Sequence, residues 1–232
     1  MADMMTEAEA LKALKQHGSL YAPEDGYHFK GISGSHLNGY CNIDPVLPFP
    51  KLLSRMTEAI VTPFRDEGIE TVFVPATGAI PLAEWGPYHL ERITGSEVCG
   101  IWGDKVKPRG FTIERDGFLD AIKGKKVLIL EDMINKMFSV RELVRLVKEN
   151  NGRVVGVGSI ISNNRNGVSA EAIGVPQFTS LAWFGYDVWD EDSCELCAQR
   201  VPMVTDIGHG GEFADEHPDY PTAQVLKAND KH

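Results

Sequence analysis

The chain has little cysteine and no long apolar run. Its four cysteines, Cys41, Cys99, Cys194 and Cys197, are too few and too unevenly spread over 232 residues for a disulfide scaffold, and free thiols are expected of them. No segment is apolar for long enough to span a bilayer, which argues against a membrane partner. The opening MADMMTEAEALKALKQHG has neither the basic start nor the apolar stretch of a secretory signal, so a cytoplasmic location is expected. Positive charge is scarce as well: 23 Lys and Arg stand against 33 Asp and Glu, a formal net charge of -10. A nonspecific grip on nucleic acid needs an excess of cations, so that class is set aside, and any anionic ligand must meet a local basic cluster. Also absent are G-x-G-x-x-G after a strand, G-x-x-x-x-G-K-[ST], G-x-S-x-G and H-E-x-x-H. Their absence weakens the dinucleotide, P-loop, α/β-hydrolase and zinc-protease readings.

What is present is an alternation of strands and helices. Thr6 followed by Glu9 reads as a capping box for a helix that stops near His17-Gly18. The stretch YHFKGISGSHLNGYCNID reads as hairpin and loop, a composition typical of functional surfaces. From Phe49 to Glu67 the apolar residues Leu52, Leu53, Met56, Ile60 and Phe64 form a helical stripe that Pro63 should kink or end. IETVFVPATGAIPLAEW is a β-branched strand, a Gly/Pro turn and a new apolar run. The pattern repeats in KKVLILEDMINKMFSVRELVRLVKENNG, where Val140, Leu143, Val144 and Val147 recur at helical spacing before an Asn151-Gly152 stop, and VVGVGSII supplies another buried strand. Such alternation implies right-handed crossovers and a parallel sheet flanked by helices, an α/β fold. Ligands of such sheets sit beyond the carboxyl ends of the strands, where the turns Thr77–Ile80 and Glu131–Ser139 would lie together. One domain is expected, with a hood segment over 1–48, an α/β core over 49–186 and a loop-rich segment over 187–232.

The sharpest local feature is the pair Glu131-Asp132 at a strand end. Adjacent carboxylates can accept from neighbouring sugar hydroxyls or reach a hydrated cation, or one can cap the next helix while the other is solvated. Cys194-x-x-Cys197 supplies at most half of a structural zinc site, to be completed by Cys41, Cys99 or His209 only if the fold gathers them. Its acidic setting, WDEDSCELC, should raise thiol pKa values and does not suit a redox pair. Structural thiols are therefore expected, and no residue is assigned as a metal ligand. The tryptophans, Trp85, Trp102, Trp183 and Trp189, fall mostly in predicted strands and helices and read as packing residues.

The segment KVLILEDMINKMFSV (Lys126–Val140) resembles the phosphoribosyl diphosphate binding motif of type I phosphoribosyltransferases: an apolar strand, two acids, two apolar residues, a Thr/Gly-rich loop and a Ser or Thr. SGSHLNGYCNID (Ser33–Asp44), VPATGAIPLA (Val74–Ala83), GFLDAIKGKKVLILED and CELCAQRVPMVTDIGHG (Cys194–Gly210) are similar to the orotate branch of that family. Order and spacing agree over most of the chain.

The resemblance implies transfer of ribose 5-phosphate from phosphoribosyl diphosphate to a nitrogenous base, orotate favoured, in pyrimidine nucleotide synthesis, with Mg2+ as cofactor and a homodimer as assembly. It implies that Glu131 and Asp132 hold the ribose hydroxyls. Asn135, Lys136, Met137, Phe138 and Ser139 face the 5-phosphate, Thr77, Gly78 and Ala79 present backbone to the diphosphate, and Ser33, His36 and Tyr40 lie near the base. Lys105 stands where the family has a basic residue for the diphosphate, but its neighbour, usually basic, is Asp104. The family's lid loop corresponds to VKPRGFTIERDG, with Lys107 and Arg109 as the nearest cations and no histidine; with Lys105 and Asp132 these are the candidate catalytic residues. The phosphate loop departs from the pattern, since Met137 and Phe138 carry side chains where the family has little or none. Two further readings stay open: an impaired relative that binds a nucleotide or base as a regulator, and a scaffold that binds a protein partner.

Overall fold

The computed structural model of the chain describes residues 4–31 and 34–225. Its N-terminal part runs α1 (Glu7–Gln16), β1 (Leu20–Tyr21), β2 (Phe29–Lys30), β3 (His36–Leu37), β4 (Tyr40–Cys41) and α2 (Pro50–Val61). The middle runs β5 (Thr71–Pro75), α3 (Leu82–Thr94), β6 (Cys99–Lys105), β7 (Phe111–Thr112), β8 (Lys126–Ile134), α4 (Phe138–Glu149) and β9 (Arg153–Ser162). Then follow α5 (Ala170–Ile173), β10 (Phe178–Trp183), β11 (Val188–Trp189), α6 (Glu195–Ala198), β12 (Met203–Val204), α7 (Gly210–Glu216) and β13 (Thr222–Ala223). Residue contacts divide the chain into two units. One takes the N-terminal residues through His17 together with Ile43–Phe184, and the other takes Gly18–Asn42 together with the chain from Gly185 onward. Helix α1 thus belongs with the α/β core, whereas the sequence groups it with the hood.

In the first unit local signals act as the sequence predicts. The Thr6 hydroxyl accepts the Glu9 N–H, and the Glu9 carboxylate accepts the Thr6 N–H at 2.8 Å, so two orphan donors of α1 are satisfied. Helix α2 ends at Val61, and Pro63 sits in a short 3-10 turn just beyond it. The six-stranded sheet has the order β10-β9-β8-β5-β6-β7, parallel except for β7, which returns antiparallel on β6. Every residue of β5 is buried, as a strand covered on both faces requires. The steps β5 to β6 and β8 to β9 run in opposite directions across the sheet, so right-handed crossovers place α3 and α4 on opposite faces. Val140, Leu143, Val144 and Val147 of α4 form a core with Phe73, Ile129 and Val157.

The second unit holds small sheets. β2 and β3 form a hairpin extended by β11 on β3, β1 pairs with β4, and β12 runs parallel to β13. Among the described residues no helix is long and apolar enough to cross a membrane.

Candidate active site

Neighbouring strands β5 and β8 lead to crossovers that diverge, which makes the gap beyond their carboxyl ends the switch point of the sheet. Three sequence-predicted groups meet there: the Thr77–Ala79 turn after β5, Lys105 at the end of β6, and Glu131-Asp132 near the end of β8. The closest approach is between Gly78 and Asp132. A Cβ built on Gly78 would overlap Asp132 Oδ2 and lie 3.3 Å from its Cγ, so the turn reaches the carboxylate only because residue 78 has no side chain.

The two acids have different environments. Glu131 is 5 % exposed, and burial, then the neighbouring Asp132 charge, push its carboxyl well above the usual range, against the opposing pull of the Lys105 charge. Asp132 is half-buried, and its Oδ1 accepts the Met133 N–H at 2.8 Å, which aims the carboxylate toward Gly78. The Asp132 N–H in turn donates to Glu131 Oε1 at 3.2 Å. One carboxyl therefore favours the protonated form, able to donate, beside a partner that accepts.

The loop from Asn135 to Ser139, expected to face a phosphate, is held from several sides. Asn135 Oδ1 accepts from the side-chain amides of Asn163, at 3.2 Å, and Asn166, and the Asn135 carbonyl accepts from Asn166 at 3.1 Å. The Asn135 amide is thus engaged by the segment after β9, and no local pattern marks Asn163 or Asn166 as its partners. Met137 adopts the left-handed conformation, φ 59°, at the start of α4, a position that glycine fills without steric cost. Met137 and Phe138 both pack against the hydrophobic core. Lys136 is exposed, and Ser139 is half-buried in the first turn of α4. No side chain caps α4 and no acid stands in its first turn, so its leading N–H groups suit an anion.

The segment after Lys105 is a tight hairpin between β6 and β7, closed by the Val106 N–H on the Gly110 carbonyl at 3.1 Å. Lys107 and Arg109 are exposed, and the Arg109 guanidinium lies 3.7 Å from the centroid of the Phe138 ring, tying the hairpin to the start of α4. Asp104 receives two bonds from Arg115, at 3.1 Å each, which gives a physical use to an acid where the family pattern has a base. An open depression lined by Lys148, Arg153, Glu171 and Pro176 lies at the opposite, amino-terminal end of β9 and is remote from these groups.

Of the residues predicted near the base, Ser33 lies outside the described residues, and His36 and Tyr40 belong to the second unit. The Tyr40 ring lies tilted against that of Phe29, with centroids 5.5 Å apart. His36 is fully buried, with Nδ1 2.9 Å from His28 Nε2 and 3.2 Å from Cys197 Sγ. Burial drives the His28 imidazole down to about 4 and lowers that of His36 as well, so both are neutral near pH 7. Burial and then Cys194 push the Cys197 thiol up to about 11, the direction expected from sequence but with burial as the larger cause.

No family model matches the chain. Curated relatives do. The chain is 32% identical over 183 residues to the orotate phosphoribosyltransferase of Caldicellulosiruptor saccharolyticus, covering 76% of this chain and 86% of that one. It is 32% identical over 203 residues to that of Chlorobaculum parvum, covering 86% and 94%. The solved orotate phosphoribosyltransferase of Mycobacterium tuberculosis superposes with a TM-score of 0.55 at 19% identity, over 76% of this chain and 95% of that one, and shares the fold. At 32% identity over most of its own length and of theirs, the chain belongs to the orotate phosphoribosyltransferase family.

Proposed function

We propose that the chain transfers the 5-phosphoribosyl group of phosphoribosyl diphosphate to orotate, a step of pyrimidine nucleotide synthesis, forming a bond from the anomeric carbon to a ring nitrogen as the bond to diphosphate breaks. The observation that carries this reading is the approach of Gly78 to Asp132, which joins the diphosphate turn to the acidic pair. The named activity of the curated relatives supports it, and the Mycobacterium tuberculosis enzyme has been solved with 5-phospho-α-D-ribosyl 1-diphosphate.

In this reading Glu131 and Asp132 hold the ribose hydroxyls. The first N–H groups of α4, with Ser139 and Lys136, receive the 5-phosphate, and Lys105 meets the diphosphate with Lys107 and Arg109 on the adjacent hairpin. Such charge stabilisation suits a transition state with oxocarbenium character, for which positioning matters more than a nucleophile. Mg2+ belongs to the same proposal: carboxylate oxygen donors such as the half-buried Asp132 suit that ion, which keeps waters and substrate oxygens around it. When bound it would neutralise charge on the departing diphosphate. The segment from Ser33 to Tyr40 is assigned to the base, with the buried His36 ring engaged inside its own unit. A homodimer and a cytoplasmic location complete the proposal.

The inward-packed Met137 and Phe138 favour one competing reading, a site that binds a nucleotide without turnover. Steady-state assay of diphosphate release with phosphoribosyl diphosphate, Mg2+ and a panel of bases separates the two. Turnover with orotate above all other bases is expected, and binding of orotidine monophosphate with no turnover on any base would reject the transferase reading.

A further inference from the structure

The second unit brings four potential ligands to one point. His28 and His36 come from the β2–β3 region, and Cys194 and Cys197 from the start of α6, more than 150 residues away in sequence. Each offers one ligand atom, and these atoms all lie within 4.8 Å of one another. His28 Nε2 is 2.9 Å from His36 Nδ1 and 3.5 Å from Cys194 Sγ, and Cys197 Sγ is 3.2 Å from His36 Nδ1 and 4.0 Å from His28 Nε2. A tetrahedral zinc ion with bonds of about 2.0–2.1 Å to nitrogen and about 2.3 Å to sulfur separates its ligands by roughly 3.3–3.8 Å, within the spread seen here.

The surroundings match a ligand shell. Ligating histidines usually offer their second ring nitrogen to a carbonyl or a carboxylate. His28 Nδ1 is 3.2 Å from the Val201 carbonyl, and His36 Nε2 faces Glu191 Oε2 at 3.6 Å. The Cys197 N–H points at Cys194 Sγ at 3.4 Å, a turn that turns both sulfurs the same way. Both cysteines are free thiols, and His28, His36 and Cys194 are buried. The plain alternative, a hydrogen-bonded core cluster, gives no reason for four ligand atoms from distant segments to converge.

We propose that His28 Nε2, His36 Nδ1, Cys194 Sγ and Cys197 Sγ form a structural, four-coordinate Zn2+ site that clamps the 28–36 segment to the 194–197 turn. Two imidazoles and two thiolates fill a tetrahedral shell, leaving no open position for catalysis, and the donor set favours zinc over the hard ion of the transfer reaction. The site revises the sequence reading in its partners: the cysteine pair is completed by His28 and His36, not by Cys41, Cys99 or His209. It stands independently of the transferase proposal.

The test uses the full chain, produced in zinc-supplemented medium and analysed by elemental mass spectrometry after gel filtration. About one zinc per chain is expected, and less than about 0.1 per chain, with no thiolate-to-metal absorption on adding Co2+ to chelated protein, overturns the proposal. Cys194→Ser with Cys197→Ser should lose the metal, and Cys99→Ser should keep it; full zinc in the double variant also overturns it. If that variant does not fold, zinc-edge X-ray absorption of the unaltered protein decides, since two sulfur ligands support the site and a shell of nitrogen and oxygen alone rejects it. Glu191→Gln should weaken zinc binding about 10-fold, and removing zinc should lower the melting temperature by roughly 10 °C.

Discussion

Replacing Gly78 with alanine tests the geometry on which the proposed transfer depends. The added Cβ would overlap Asp132 Oδ2 and stand 3.3 Å from Cγ, while Oδ1 is held by the Met133 N–H at 2.8 Å. Ordinary van der Waals contact would require the carboxylate to retreat by roughly 1 Å, and a misplacement of that size at a reacting centre costs about 100-fold in rate, or about 2.7 kcal/mol of transition-state stabilisation. Folding stability should change little, because the clash is relieved by rotating one short, half-buried side chain. The assay is kcat/KM for phosphoribosyl diphosphate at saturating orotate, with a thermal melt on the same sample. The expected result is a loss of about two orders of magnitude with a near-native melt, and a similar loss for Asp132→Asn. If Gly78→Ala keeps kcat/KM within about threefold of the parent, the carboxylate does not act from the position described and the reasoning fails.

Glu131→Gln should stabilise the protein while impairing transfer. The buried carboxyl holds its proton more tightly in the folded chain than in the unfolded one, so stability falls as pH rises from the ordinary carboxylate range through the raised value. The amide removes that fall, and the unfolding free energy from urea titration near pH 8 should exceed the parent's; a lower value would contradict the assigned burial. Asn135→Ala removes the acceptor of Asn163 and Asn166, and denaturant titration should show a loss of about 1–3 kcal/mol. Arg109→Ala should cost only about 0.5–1 kcal/mol of stability from its lost stacking on Phe138, yet raise KM for phosphoribosyl diphosphate; an unchanged KM would separate the hairpin from substrate binding.

The sequence by itself determined the elements whose signals are local. The capping box at Thr6, the end of α2 before Pro63 and the apolar stripe of α4 each depend on residues within a turn or two of one another. Strand and helix alternation then led to a parallel sheet, and the acidic pair at the end of β8 pointed to its switch point. What the tertiary structure decided lies between distant segments, where no periodicity carries information. Gly78 against Asp132, Arg109 on Phe138, and Asn135 with Asn163 and Asn166 are such pairings, and the last two, with Met137 and Phe138 packed on the core, hold the 135–138 loop in place. The separation is also wide in the second unit, where His28 meets Cys194 across 166 positions. From sequence the cysteine pair looks only to Cys41, Cys99 or His209, and His36 to the base; the chain's return to its own beginning brings His28 and His36 to the pair.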